Sequence, residues 1–170
     1  MFRQAPRRDE CGAPMAVIAR EVEKLKRRVI WTERVGRDRW RQLSFLYRAA
    51  DRFGNRIFDS TFCCGEMQSP LGCTTGSCCQ CRPDLFAYEK EVLDLLPKRS
   101  DDTGYCPFFN LVKKNCGIYG VRPFACRIYF NLASSAHSCR NPNDRTLQLF
   151  DNLKPHLEKI LGPYCGGYSG

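Results

Sequence analysis

The sequence predicts a mainly α-helical chain with irregular, cysteine-rich loops, and three observations carry that expectation. Apolar residues recur at alternating intervals of three and four in the first third. That period vanishes beyond Gly54 in a stretch dense in Gly, Ser, Thr, Pro and Cys, and helical spacing returns after Asp84 and again after Asp144.

The first element is the clearest. Met15, Ile18, Val22, Leu25 and Val29 stack on one side of a helix, while Arg20, Glu21, Lys24, Arg27 and Arg28 fall mostly elsewhere. A second stripe of Trp40, Leu43, Tyr47 and Ala50, with Leu46 beside it, follows a break at Gly36, so two amphipathic helices in a hairpin are expected. Such stripes are packing surface; they either close over the rest of the chain or pair with a second subunit. Beyond them, "GNRIFDSTFCCGEMQSPLGCTTGSCCQCRPD" has neither helical nor strand period and reads as loop. Asp84 reads as an N-cap for a helix whose apolar face is Leu85, Tyr88, Val92, Leu93 and Leu96, stopped by Pro97. "NLASSAHSCRNPN" is another loop. Asp144 opens a last helix through Leu147, Phe150 and Leu153, which Pro155 either kinks or restarts through Leu157, Ile160 and Leu161 until Gly162-Pro163. The tail "YCGGYSG" reads as loose apart from Cys165.

Length and composition bound the rest. With 170 residues, 43% hydrophobic and 26% charged, the chain matches a soluble unit with an appendage, split here as residues 1–58 and 59–170. No apolar run approaches a membrane span, and the N-terminus lacks the apolar core of a signal peptide, so the expected compartment is the cytoplasm. Charge is uneven: residues 1–58 carry +8 and residues 59–170 only +1. A basic face of that kind suits an acidic protein partner; nucleic acid is compatible with the charge, but no motif supports it.

Cysteine usage carries the chemistry. Twelve Cys in 170 residues would suit a disulfide scaffold, yet Cys63-Cys64 and Cys78-Cys79 are adjacent and Cys79 is one residue from Cys81. Neighbours so close do not each find a separate partner at disulfide distance. A metal ion or cluster gathers several thiolates from such tight loops. The candidate ligands are Cys73, Cys78, Cys79, Cys81, Cys106, Cys116, Cys126 and Cys139. Cys63, Cys64 and Cys165 are possible additions; His137 reads as an exposed loop residue, His156 as surface, and Cys11 as part of the leader. Side chains of neighbouring residues in an extended loop point apart, so Cys78 and Cys79 do not readily share one zinc but reach either two irons of one cluster or two separate sites. An iron-sulfur cluster is therefore favoured over zinc, although two four-cysteine zinc sites would use the same eight residues. Arg122 and Arg127 flank Cys126, where they either donate to cluster sulfides and offset thiolate charge or pair with nearby carboxylates. Pro123 sets the bend that presents Cys126, and Tyr119, Phe124, Tyr129 and Phe130 are expected to shield the site. No Gly-x-Ser-x-Gly, His-Glu-x-x-His or P-loop is present, and no catalytic residue is assigned.

"CTTGSCCQC", then Cys106-Pro107, Cys116-Gly117-Ile118-Tyr119, Arg122-Pro123-Phe124-Ala125-Cys126-Arg127 and Cys139 resemble the YkgJ-type cysteine-cluster proteins over residues 60–140. The later motifs match closely. The opening departs from the family's Cys-x-x-Cys-x-x-Cys-Cys pattern, because four residues separate Cys73 from Cys78 and the doublet precedes Cys81. The resemblance implies metal binding, and the family's similarity to flagellin lysine methylases suggests a [4Fe-4S] cluster. It does not imply methyl transfer, since no adenosyl-binding loop is visible.

Overall fold

A computed structural model of the chain describes residues 15–36, 38–57, 84–100, 103–113, 115–128 and 144–168. These residues are mainly helical. Helix α1 is Met15–Val35 and helix α2 is Arg39–Ile57. Asp38 caps α2, its Oδ1 accepting from the amides of Trp40 at 2.9 Å and Arg41 at 3.1 Å. The two helices pack as a hairpin through the expected stripe: Ile18, Leu25 and Val29 on α1 meet Leu43, Leu46, Ala50 and Phe53 on α2. Trp40 departs from the expectation and is 71% exposed. The buried positions of α1 end at Thr32, whose carbonyl accepts from Gln42 Nε2 at 3.1 Å, so Trp40 lies one half-turn beyond the end of the shared seam.

After α2 the described chain resumes in strand β1, Asp84–Phe86, and helix α3, Ala87–Asp94. Asp84 is thus a strand residue and not the cap; its carboxylate accepts from Tyr164 Oη. The partner of β1 is β4, Tyr164–Gly167, antiparallel to it, with a bulge that leaves Cys165 between the pairs Phe86–Tyr164 and Leu85–Gly166. The tail is therefore paired in a strand through Gly167, and Tyr168 after that strand is buried. Strands β2, Phe109–Asn110, and β3, Asn115–Cys116, form a second small hairpin. A single 3-10 turn, Tyr119–Val121, leads to the short helix α4, Phe124–Ile128, and helix α5 spans Asp144–Leu161. Pro155 lies inside α5 without ending it, because Leu153, Leu157 and Ile160 on either side are buried and hold the helix on the core. Gly162 ends it at φ +82°, the left-handed conformation that suits glycine, and a Cβ there would stand 3.2 Å from that of Ala87.

One hydrophobic cluster joins α1, α2, α4 and α5 with Phe86. The basic helices thus pack on α4, α5 and Phe86. Each fully buried Leu, Ile or Phe in that cluster contributes about 1.5–3 kcal/mol. His156, expected at the surface, is half-buried and bonds Glu33 of α1 at 2.5 Å, and Lys159 reaches the same carboxylate at 2.7 Å, which pins α5 to α1. A second cluster of Leu85, Leu93, Phe108, Phe109 and Tyr168 includes Cys106. Among the described residues no helix is long and apolar enough to cross a membrane.

Candidate metal centre

Two of the expected ligands lie in one hairpin. Residues 106–109 form a turn in which Phe109 N donates to Cys106 O at 2.9 Å, and Cys116 pairs with Phe109 across the β2–β3 ladder. Asn110 Oδ1 accepts from the amides of Val112 at 3.0 Å and Lys113 at 2.8 Å, which shapes the tip. Gly117 N donates to Phe108 O at 2.9 Å; an added Cβ would lie 3.1 Å from that oxygen, so glycine lets the two cysteine-bearing segments approach.

Each sulfur in the hairpin meets the amide two residues on. The Phe108 N–H donates to Cys106 and the Ile118 N–H to Cys116. Burial pushes both thiols above their ordinary pKa, whereas these amides, with Arg99 near Cys106 and Arg122 near Cys116, favour the thiolate. The Cys116 sulfur is also close enough to raise the Cys106 pKa further. Two thiols held together, short of ionisation but already facing amide donors, suit displacement of their protons by a metal ion. Arg99 secures the hairpin from outside, donating through its backbone N to Pro107 O at 3.0 Å and through Nη1 to Phe109 O at 2.7 Å.

Cys126 follows on α4 and is exposed. Pro123 holds the preceding Arg122 extended at φ −59°, ψ 147°, and α4 begins at Phe124. The two arginines meet a carboxylate: Arg127 Nη1 lies 2.7 Å and Arg122 Nη2 3.3 Å from Asp51 of α2. Arg127 is 3% exposed, and its Nε and Nη2 donate to Arg122 O and Gly120 O, both at 2.9 Å. Its guanidinium also lies 4.2 Å above the Tyr47 ring, and that of Arg122 3.7 Å above Tyr119. Phe124 is fully buried as expected of a shielding residue, while Tyr119 is partly exposed.

Behind α4 stands a carboxylate that sequence reasoning did not single out. Glu89 of α3 is 3% exposed; its Oε1 accepts from Phe124 N at 2.7 Å and Tyr47 Oη at 2.9 Å, and its Oε2 from Phe86 N at 3.4 Å. Burial raises its pKa to about 7, against the pull of those donors and of Arg127. The folded state therefore binds this proton more tightly than the unfolded state, so ionising Glu89 destabilises the fold as pH rises from about 4.5 through about 7. A Glu89→Gln variant is expected to gain stability relative to the parent across that interval. Parallel plots of melting temperature against pH for the two proteins would remove Glu89 from this role.

Cys73, Cys78, Cys79, Cys81 and Cys139, with Cys11, Cys63, Cys64, His137, Tyr129 and Phe130, lie outside the described residues. Cys165 is exposed on β4, where its Sγ donates to Pro163 O at 3.5 Å. Among the described residues no three His, Cys, Asp or Glu side chains converge, so a closed site needs sulfurs from residues 58–83 or 129–143 beside Cys106 and Cys116. No family model, curated protein or solved structure matches the chain.

Proposed function

We propose that this is a cysteine-rich metal-binding protein carrying a [4Fe-4S]-type cluster that passes single electrons or senses redox state, with its basic N-terminal helices docking an acidic protein partner. The observation that carries the reading is the β2–β3 hairpin, which holds Cys106 and Cys116 near each other with Arg99 and Arg122 close by. Amide hydrogen bonds to sulfur, burial and nearby positive charge are the means by which a protein holds a polyanionic cluster and sets its potential. A [4Fe-4S] cluster takes four thiolates; Cys106, Cys116 and Cys126 would supply sulfur from the described residues and Cys73, Cys78, Cys79, Cys81 and Cys139 from elsewhere, not all eight to one centre. The bound cluster would supply a reversible one-electron couple; the chain's own part is to fix the sulfurs, exclude water with Phe108, Phe109 and Tyr168, and offset charge with Arg99 and Arg122.

The motif resemblance to YkgJ-type proteins agrees with this reading. Structural zinc is the second reading, with the chain as an adaptor, since the same hairpin offers two thiolates to a tetrahedral ion. Protein purified without oxygen separates them: a brown solution absorbing at ~400 nm supports the cluster, and a colourless one holding stoichiometric zinc supports the adaptor.

A further inference from the structure

An exposed aromatic surface lies at the tip of the α1–α2 hairpin. Trp31 is 52% exposed, Val35 56% and Phe45 48%, and Trp31 meets Phe45 edge to face at 5.6 Å between ring centroids. With Thr32 and Gln42 they line a cleft of ≈ 370 Å³, room for one or two apolar side chains. Hydrophobic residues this large seldom stand open together on a free surface.

Charge says what covers them. Residues 15–57 hold twelve Lys and Arg against five Asp and Glu. Arg41 lines the cleft, and exposed arginines stand one helical turn from its aromatic residues: Arg28 and Arg34 either side of Trp31 and Arg48 beyond Phe45. Among the described residues Arg28, Arg34 and Arg48 form no ion pair, while Arg41 stands 3.7 Å from Asp38. An apolar concavity with arginines on the neighbouring turns that form no ion pair among the described residues has the make-up of a protein-docking hot spot, where Trp and Arg are enriched. Single-stranded nucleic acid needs aromatic faces open for base stacking. Here the edge-to-face packing of Trp31 and Phe45 occupies part of that surface.

We infer that the cleft between Trp31 and Phe45 is the docking site for an acidic, amphipathic polypeptide segment, which inserts apolar side chains there and pairs its carboxylates with Arg28, Arg34 and Arg48. The inference rests on the acidic-partner half of the proposed function and is independent of any metal.

Trp31 and Trp40 are the only two tryptophans of the chain, so intrinsic fluorescence reads this face directly. The full chain is titrated with three probes: a Glu-rich peptide with Leu at i, i+3, i+4 and i+7, a scramble of the same composition, and single-stranded oligothymidylate. The expected result is a saturable blue shift with the first peptide, binding at least about tenfold tighter than the scramble, and a similar loss in Val35→Glu and in Arg34→Glu. Both positions are exposed, and far-UV circular dichroism checks that the variants fold. Peptide binding that leaves the emission and both variants unchanged overturns the placement but keeps the acidic-partner reading. An amphipathic peptide that binds no better than its scramble likewise overturns the placement alone, whereas no binding of either peptide, or a shift with oligothymidylate alone, overturns both.

Discussion

Replacing Arg127 with Met is expected to destabilise the fold by about 2–4 kcal/mol, less than at a fully buried ion pair because the Asp51 side chain is 40% exposed. In a chain of this size that is a fall of roughly 10 °C in melting temperature. The magnitude follows from what the guanidinium holds. Arg127 bonds the Asp51 carboxylate of α2 and the carbonyls of Gly120 and Arg122 while 3% exposed, so Met removes the donor to all three acceptors. Arg127→Lys should recover only part of the loss, since a lysine keeps the charge but not the planar fork. Thermal denaturation of the three proteins tests this; a Met variant within about 1 kcal/mol of the parent would show that the network contributes little. The same network bears on the site, because Glu89, Tyr47 and Arg127 converge on α4, the helix that carries Cys126.

Cys126→Ser is expected to strip most of the bound metal, down to about a tenth of the parent's content or less, and to lower the melting temperature with it. Binding of structural metal contributes on the order of 10 kcal/mol, and where few regular elements surround a site, binding and folding are coupled. Cys126 makes the cleanest test because it is exposed on α4, so serine there leaves the hydrophobic clusters as they are. Cys106→Ser should lose metal too, but it also places a hydroxyl in the second cluster. A Cys126→Ser protein with full metal content and unchanged melting temperature would remove Cys126 from the ligand set.

Helices α1 and α2 were legible because each buries a stripe at helical spacing, and that period is written locally in Ile18, Leu25, Val29 and Leu43, Leu46, Ala50. Trp40 was not, since its place in the period says nothing about whether α1 extends far enough to cover it. The β1–β4 pair was also hidden: a three-residue and a four-residue strand, 77 residues apart from Phe86 to Pro163, leave no alternation to read. The candidate site divides the same way. Cys106 and Cys116 stood out by residue type and spacing, and the hairpin brings them together. Glu89, Tyr47 and Asp51 did not, because each acts through partners 35 to 76 residues away, and a lone Glu in a helical stretch looks like solvated surface. The arginines were read with two possible partners, and Asp51 is the one the described residues provide.

Elemental analysis of the native chain, purified without oxygen, tests the central claim most directly. The account predicts iron and acid-labile sulfide in equal amounts, about four of each per chain, with the cysteines reduced. A chain free of iron and zinc whose cysteines are joined in pairs would contradict it.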